Sequence, residues 1–481
     1  MILRPRGEKV DRQKRSALRK LIDAEWIKQR IDELEPLKEI RVTEVFNDED
    51  LRRFCVEAGC KWRERSFPPA VALRLFVDQI LSRGNSCTTT LTGLNKQRKA
   101  LGLSPQSTDA SAYCKARARL PLVVFDRLNR EVVQICGSKA RVEWKWEARD
   151  VYLVDGCVLR APDTRENQQA YPQPSSQADG LGFPQVRMVI TTSLATGCIE
   201  HYSTGKVEGK GTGEISLFRQ NHRKFKEGDI VVADSNFESF HDAVLLKQRG
   251  VDLVCCMNAS RVNPFDGECR AIEEQNVVLS KPKFDTNRFT KAEWEALPES
   301  LTYRMIRYQI RGGTSTITVA TTLLDSDRYS SASIATLFGM RWDVELDIRA
   351  YKTTLRASDL SCLTPHTLDR EIAARVLAYN LVRLLMNDTA AVVGTIHPRE
   401  ISFSRACDAW RSYVEPSPTA ADLIWVVHST TTRFVRDRPN RSEPREIKNC
   451  GQTKYPKLRQ PRLSRQRARA APKPETQGSS P

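Results

Sequence analysis

VYLVDG, residues 151–156, marks the point where the chain changes character. It is a short apolar run that ends on Asp155 and Gly156. Comparable runs follow: VRMVITTSL at 186–194, CIEHYST at 198–204, DIVVADS at 229–235 and VDLVCCMN at 251–258. Short runs rich in β-branched residues and bounded by turn formers predict strands. Between the last two lies HDAVLLKQRG, 241–250, a helix pattern with Gly250 past its end as a stop. Strands and helices mixed in this order predict an α/β domain beginning near residue 151.

Outward from this block the pattern changes twice. Residues 258–324 contain two more strand-like runs, LTYRMIRYQI at 301–310 and TSTITVATTLL at 314–324, with Gly312-Gly313 between them as a hairpin signal. This segment is expected to be a β-rich insertion. From Ser330 the chain is helical again, through TLFGMRWDVELDIRAYKTTL at 336–355 and EIAARVLAYNLVRLLM at 371–386. Residues 151–257 and 325–436 are thus expected to form one α/β domain interrupted by 258–324. Upstream, residues 41–150 predict a helical domain. Phe67-Pro68-Pro69 leads into AVALRLFVDQIL at 70–81, and Pro121 separates a basic helix from an apolar one. Residues 1–40 read as a charged arm and 437–481 as a disordered basic tail. Between Lys454 and Lys473 every ionisable side chain is basic apart from the Tyr455 phenol.

Composition narrows the function classes. The 481 residues carry 76 Lys+Arg against 59 Asp+Glu, a net charge of +17, which points to nucleic acid as a partner. The apolar stretch at 376–386 is broken by Asn380 and Arg383, so no membrane span is predicted. The start, MILRPRGEKVDRQKR, has no apolar centre, and a cytoplasmic protein is expected. Thirteen cysteines, an odd number without paired CxxC spacing, read as buried thiols rather than a disulfide framework or a zinc site.

The chemistry is carried by acidic residues. Asp155 and Asp234 each follow an apolar run and are expected at strand ends. Rigid strands placed side by side would bring both to one divalent cation, and Mg²⁺ prefers such hard oxygen ligands. In a helix from about Thr336, residues Phe338, Arg341, Glu345 and Lys352 fall within an arc of roughly 60° at about 100° per residue. One stripe would then present a carboxylate between two cations. An i, i+4 ion pair accounts for Arg341 and Glu345. A phosphate-handling face accounts for Lys352 as well.

At these residues the chain resembles a known family. FGMRWDVELDIRAYK at 338–352 fits the Y-x2-R-x3-E-x6-K signature of insertion-sequence transposases with a DDE site, with Phe338 in place of Tyr. DGCVLRAPDTRENQQAYPQPSSQADGLGFP at 155–184 is similar to that family's first catalytic segment. GKGTGE at 209–214 and DIVVADS at 229–235 are similar to the approach to its second. The likeness runs from about 45 to 436. It implies a ribonuclease H-like catalytic core with a β-rich insertion between the second Asp and the Glu. It implies a triad of Asp155, Asp234 and Glu345 binding Mg²⁺ (or Mn²⁺), with Arg341, Lys352 and Phe338 at DNA. Double-stranded DNA, as element ends and target, is the implied partner, and a homodimer the implied assembly. The implied activity is cleavage at terminal inverted repeats and joining of 3′-OH ends to a target. A metal-dependent nuclease on the same fold and a non-catalytic DNA-binding derivative are the other readings.

Some marked residues read as structural. Asp163 is expected to N-cap a helix through a capping box. Gly209-Lys210-Gly211-Thr212-Gly213 lacks P-loop spacing and reads as a turn before a helix, with Lys210 near DNA. Trp294 and Trp342 are expected in the core. The helices before residue 150 are the choice for DNA-end recognition.

Overall fold

The computed structural model describes residues 48–412, apart from 63–65, 83, 258–261, 263, 285–289 and 310–315. The expected arm, tail and Gly312-Gly313 turn lie outside the described residues.

An eight-stranded mixed sheet runs through the molecule in the order β3-β2-β1-β4-β5-β8-β7-β6. β1 (Val151–Arg160), β2 (Gln185–Ser193) and β3 (Ile199–Lys206) form an antiparallel meander. β4 (Ile230–Ala233) and β5 (Asp252–Cys256) continue it as strands parallel to β1. β6 (Glu273–Ser280), β7 (Ser300–Gln309) and β8 (Thr316–Thr321) belong to the expected insertion. They are not a separate sheet, because β8 pairs antiparallel with β5 from Val254–Thr321 to Cys256–Val319.

Alternation along the strands divides the apolar residues between the two faces. Val151, Leu153, Cys157 and Leu159 of β1 join Ile230 and Val232 of β4 in the larger core. Val154, Val231 and Ala233 join Leu217, Phe218 and Phe237 in the smaller one. The larger core also takes the helices. α1 (Asp48–Glu57), α2 (Pro69–Leu81), α3 (Cys87–Ala100), α4 (Ala110–Arg119) and α5 (Leu122–Ser138) precede the sheet. Pro69 starts α2, and Asp109 caps α4 by accepting from Ser111 N. Leu73, Phe76, Phe125 and Leu128 share their core with α12 (Pro365–Val393).

α12 explains the polar residues in the apolar stretch at 376–386. The helix is buried through its middle, and Asn380, fully buried, works as a dock. Its Oδ1 accepts from Ile199 N at 2.8 Å, and its Nδ2 donates to Ile199 O at 2.8 Å and Asn129 Oδ1 at 2.7 Å. One amide thus joins α12, β3 and α5. Each such buried bond contributes about 1 kcal/mol and costs more when one partner is orphaned. Among the described residues, no helix is long and apolar enough to cross a membrane.

Short helices connect the strands: α6 (Arg165–Ala170), α7 (Glu214–Arg219), α8 (Phe240–Gln248) and α9 (Lys291–Glu295). Gly250, at φ +73, stops α8 as expected. The N-cap of α6 is Thr164, one residue later than expected. Its Oγ accepts from Asn167 N at 3.2 Å, while Asp163 accepts instead from Gln168 Nε2 at 2.8 Å. α13 (Phe403–Ser412) closes the described chain.

The helix expected from Thr336 to Leu355 is not continuous. α10 (Ser331–Gly339) ends before a turn at Met340–Arg341, and α11 (Trp342–Arg349) follows. Residues Ala350–Thr354 then form a π-helical turn. A π turn holds more residues than an α turn, so the 100° steps behind the predicted stripe do not run unbroken to Lys352.

Candidate active site

Asp155 is not at a strand end. β1 continues past it to Arg160 because GCVLR goes on pairing with β2. The neighbour on the other side is shorter: β4 stops at Ala233, having paired with β1 from Val151–Ile230 to Leu153–Val232. Continuing that register sets Asp155 opposite Asp234. Both share the parity of Leu153 and Val232, so both side chains face the larger core. α11 packs on that same face through the buried Val344. Glu345, the next residue, lies within the field of both aspartates.

Electrostatics couples the three carboxyls. Burial pushes the Asp155 carboxyl up, the Gly156 N–H opposes this, and Asp234 adds to it. Burial likewise raises Glu345, Arg341 opposes, and both Asp155 and Asp234 add. Like charges in a half-buried site disfavour ionisation of each other. Each carboxylate has a partner within the chain. Asp155 Oδ1 accepts from Gly156 N at 2.7 Å, Asp234 Oδ1 from Asn236 N at 2.9 Å, and Glu345 Oε1 from Arg341 Nη2 at 3.2 Å. In these orientations no three acidic, His or Cys side chains among the described residues converge within metal-ligand reach.

Two cations border the carboxylates. Arg341 is largely buried, and its field acts on Asp155, Glu345 and the Cys256 thiol. Lys352, within the π turn, acts on Cys157 two residues beyond Asp155. Burial nonetheless pushes the Cys157 thiol up to about 12 and raises that of Cys256. Neither is a thiolate at neutral pH, so neither is a ready nucleophile.

Phe338 is buried in the larger core, and its carbonyl accepts from Arg341 N at 3.0 Å. Its ring supports the turn that aims Arg341. Lys210 is exposed in the glycine-rich loop. Trp294 is half-buried against Phe240, Val244 and Leu297. Trp342 is not a core residue: as the first residue of α11 it points outward, 55% exposed, with the Arg341 guanidinium 5.4 Å from its ring.

A fourth carboxylate joins the site. Glu214, the first residue of α7, approaches from the smaller-core face. Its Oε1 lies 2.2 Å from where a Cβ on Gly156 would stand. It reaches the field of Asp155 and Asp234, which with burial raises its carboxyl, while Arg187 opposes. The sequence signal was present in GKGTGE, but spacing alone does not carry a residue around a sheet.

Comparison with known proteins defines the class. Residues 146–381 match the family model of the transposase DDE domain. The chain is 24% identical over 299 residues to the transposase InsG for insertion sequence element IS4 of Escherichia coli (strain K12). That match covers 62% of this chain and 65% of InsG, just under two thirds of the relative's length. A piggyBac transposase, solved as a synaptic complex with hairpin DNA, is similar at a TM-score of 0.40 and 10% identity, covering 82% of this chain and 85% of that one. The family-model match and the likeness to InsG both support a DDE transposase of the IS4 type.

Proposed function

We propose that the chain is a DNA transposase that cuts at the ends of its own insertion sequence and joins the freed 3′-OH ends to target DNA. The observation that carries this reading is the mutual electrostatic influence of Asp155, Asp234 and Glu345, with the two aspartates in register on β1 and at the end of β4 and α11 packed on the same sheet face. Strands β1 to β5, three antiparallel and then two parallel to the first, support a ribonuclease H-like core. The insertion between β5 and α10 supports it too.

The donor set suits a hard divalent cation, Mg²⁺ or Mn²⁺. It is all carboxylate oxygen, and its mutual repulsion is what a cation relieves. Asp155, Asp234 and Glu345 would hold it. Such an ion, when bound, supplies Lewis acidity and an activated water for phosphodiester attack. Arg341 and Lys352 hold the scissile phosphate and balance its charge. When a 3′-OH replaces water as nucleophile, the same residues align the target phosphate. Nothing in this scheme needs a covalent protein intermediate, in keeping with the raised thiols of Cys157 and Cys256. Exposed Lys96, Lys99, Lys115 and Arg119 on α3 and α4 suit end recognition, and Lys210 suits a backbone contact. Two element ends imply two copies of the chain on DNA.

The test is direct. Purified protein is incubated with labelled DNA carrying the borders of its own gene, in Mg²⁺ or Mn²⁺, beside Asp155→Asn, Asp234→Asn and Glu345→Gln. Cuts at the boundary leaving 3′-OH ends, then strand transfer, are expected for the parent and absent from each variant. Cutting without joining would make it a nuclease. Metal-independent binding without cuts would make it a DNA-binding derivative.

A further inference from the structure

Glu345 sits on a short helix that its neighbours in sequence do not hold in place. α11 is 8 residues long, with a turn before it and a π turn after it. Its register must be set by something else. Two residues beyond Glu345, on the opposite side of the helix, Asp347 is fully buried.

We infer that Asp347, Arg383 and Arg399 form a clamp that sets the rotation and height of α11 and so positions Glu345 over Asp155. Arg383 of α12 donates from Nη2 to Asp347 Oδ1. Arg399 donates from Nη1 to Asp347 Oδ2 at 2.9 Å and Oδ1 at 3.1 Å. Arg399 also donates from Nη2 to Ser193 O at 2.7 Å and from Nε to Leu194 O at 2.8 Å. Leu194 N in turn donates to Val151 O at 2.8 Å, the first residue of the strand that carries Asp155. The chain of contacts therefore runs from the helix of Glu345 to the strand of Asp155 without passing through the site. Arg383 is fixed by Nε donation to Tyr379 Oη at 2.9 Å, and that hydroxyl donates to Gly197 O at 3.1 Å. Gly197 (φ +75) leaves the space the guanidinium needs, since a Cβ there would lie 2.8 Å from Arg383 Cζ.

Energetics favours a geometric role. Buried ion pairs often stabilise no more than apolar residues of the same volume, because desolvation cancels the attraction. What three buried charges with directed hydrogen bonds add is a single arrangement. Here that arrangement adds a directed restraint to a short helix otherwise held by the packing of Val344 and Ile348.

The inference rests on Glu345 being the third carboxylate, and Glu345→Gln is the control for that reading. The test compares the full-length parent, Asp347→Asn, and the apolar triple Asp347→Leu with Arg383→Met and Arg399→Leu. Melting, DNA-end affinity and the single-turnover cleavage rate at saturating DNA and Mg²⁺ are measured. The triple is expected to melt at or above the parent temperature and to bind ends with unchanged Kd. Its cleavage rate should fall at least tenfold. Amide exchange should quicken selectively over Trp342–Arg349. Asp347→Asn, which keeps the shape, should show the same rate loss and the same local exchange, and serves alone if the triple does not fold. Parental cleavage together with parental exchange in α11 would overturn the clamp. If Glu345→Gln cleaves like the parent, the triad reading fails instead, and the exchange result still decides whether the clamp orders α11.

Discussion

The carboxylate of Glu214 fills the space that a side chain on Gly156 would occupy, with Oε1 at 2.2 Å, Cδ at 2.4 Å and Cγ at 2.9 Å from the position of a Cβ. The absence of a side chain next to Asp155 lets an acid from the other face approach the site. Gly156→Ala is therefore expected to displace Glu214. The added methyl meets the far end of a flexible side chain that can swing aside, so the melting temperature should change little. A large drop, recovered by pairing with Glu214→Ala, would show instead that Glu214 is held rigidly in place. Cleavage assays on Glu214→Gln report separately whether the acid contributes to chemistry.

The raised carboxyls of Asp155 and Glu345 predict a trade between stability and activity. An acid whose folded pKa lies above its unfolded value contributes stability that is full below the unfolded value and is lost as pH rises through the folded one, because the ionised form is penalised. Asp155→Asn and Glu345→Gln remove the penalty. Metal-free protein at neutral pH should melt higher in either variant than in the parent, while cleavage is lost. At acid pH, where the parent carboxyls are protonated, the gap should close. Calorimetry across pH checks both limbs, and an unchanged or lower melting temperature at neutral pH would contradict the account.

Arg341 should act on DNA and on the acids together. Arg341→Gln is expected to weaken DNA-end binding across sequences and to lower the slope of log affinity against log salt by about 1. It should also raise the Glu345 and Asp155 carboxyls further, since its guanidinium opposes both shifts. Arg341→Lys keeps the charge but loses the planar fork, and should restore the salt slope more than the cleavage rate. Fluorescence anisotropy in a salt series separates the two.

His222 predicts an acid limit. It is buried against Phe218, with ring centroids 4.6 Å apart. Neither ring nitrogen makes a hydrogen bond among the described residues, and Nε2 stands 3.8 Å from Asp242 Oδ1. Burial holds its pKa down at about 4, with Arg219, His241 and Arg249 opposing the pull of Asp242. The neutral ring is the folded form, so stability is full above the unfolded value of 6.5 and is lost as pH falls towards 4. The loss is bounded at about 3 kcal/mol. His222→Phe should flatten the melting curve between those pH values and leave neutral-pH cleavage unchanged. A variant as acid-sensitive as the parent would place the titrating group elsewhere.

Much of this was legible in residue order. The runs ending at Asp155 and Asp234 were readable because β-branched clusters bounded by turns have few other solutions. The length of β1 was not, since its continuation depends on β2, and a partner strand leaves no mark on the sequence it pairs with. FGMRWDVELDIRAYK placed Arg341 beside Glu345 correctly, because i, i+4 spacing survives a short helix. It did not show the turn at Met340–Arg341 or the π turn that carries Lys352, because a π turn has no residue signal of its own. β6 was missed: EEQNVVLS is a polar outer strand, and its burial pattern is mostly exposed. The roles of Glu214 and Asp347 were missed for a common reason. Each matters through what lies across a sheet or behind a helix.

The pairing of β8 with β5 has a consequence for solubility. Without it, β5 would end the sheet with DLVCC, an apolar stretch whose unpaired amides could recruit another chain. The insertion instead moves that margin out to β6, which begins Glu273-Glu274-Gln275-Asn276, with Glu273 and Glu274 paired to Arg307 and Arg304. Charge and polarity on an outermost strand discourage edge-to-edge growth. Excising residues 258–324 would therefore yield an aggregating protein rather than a smaller enzyme, whatever those residues do at DNA.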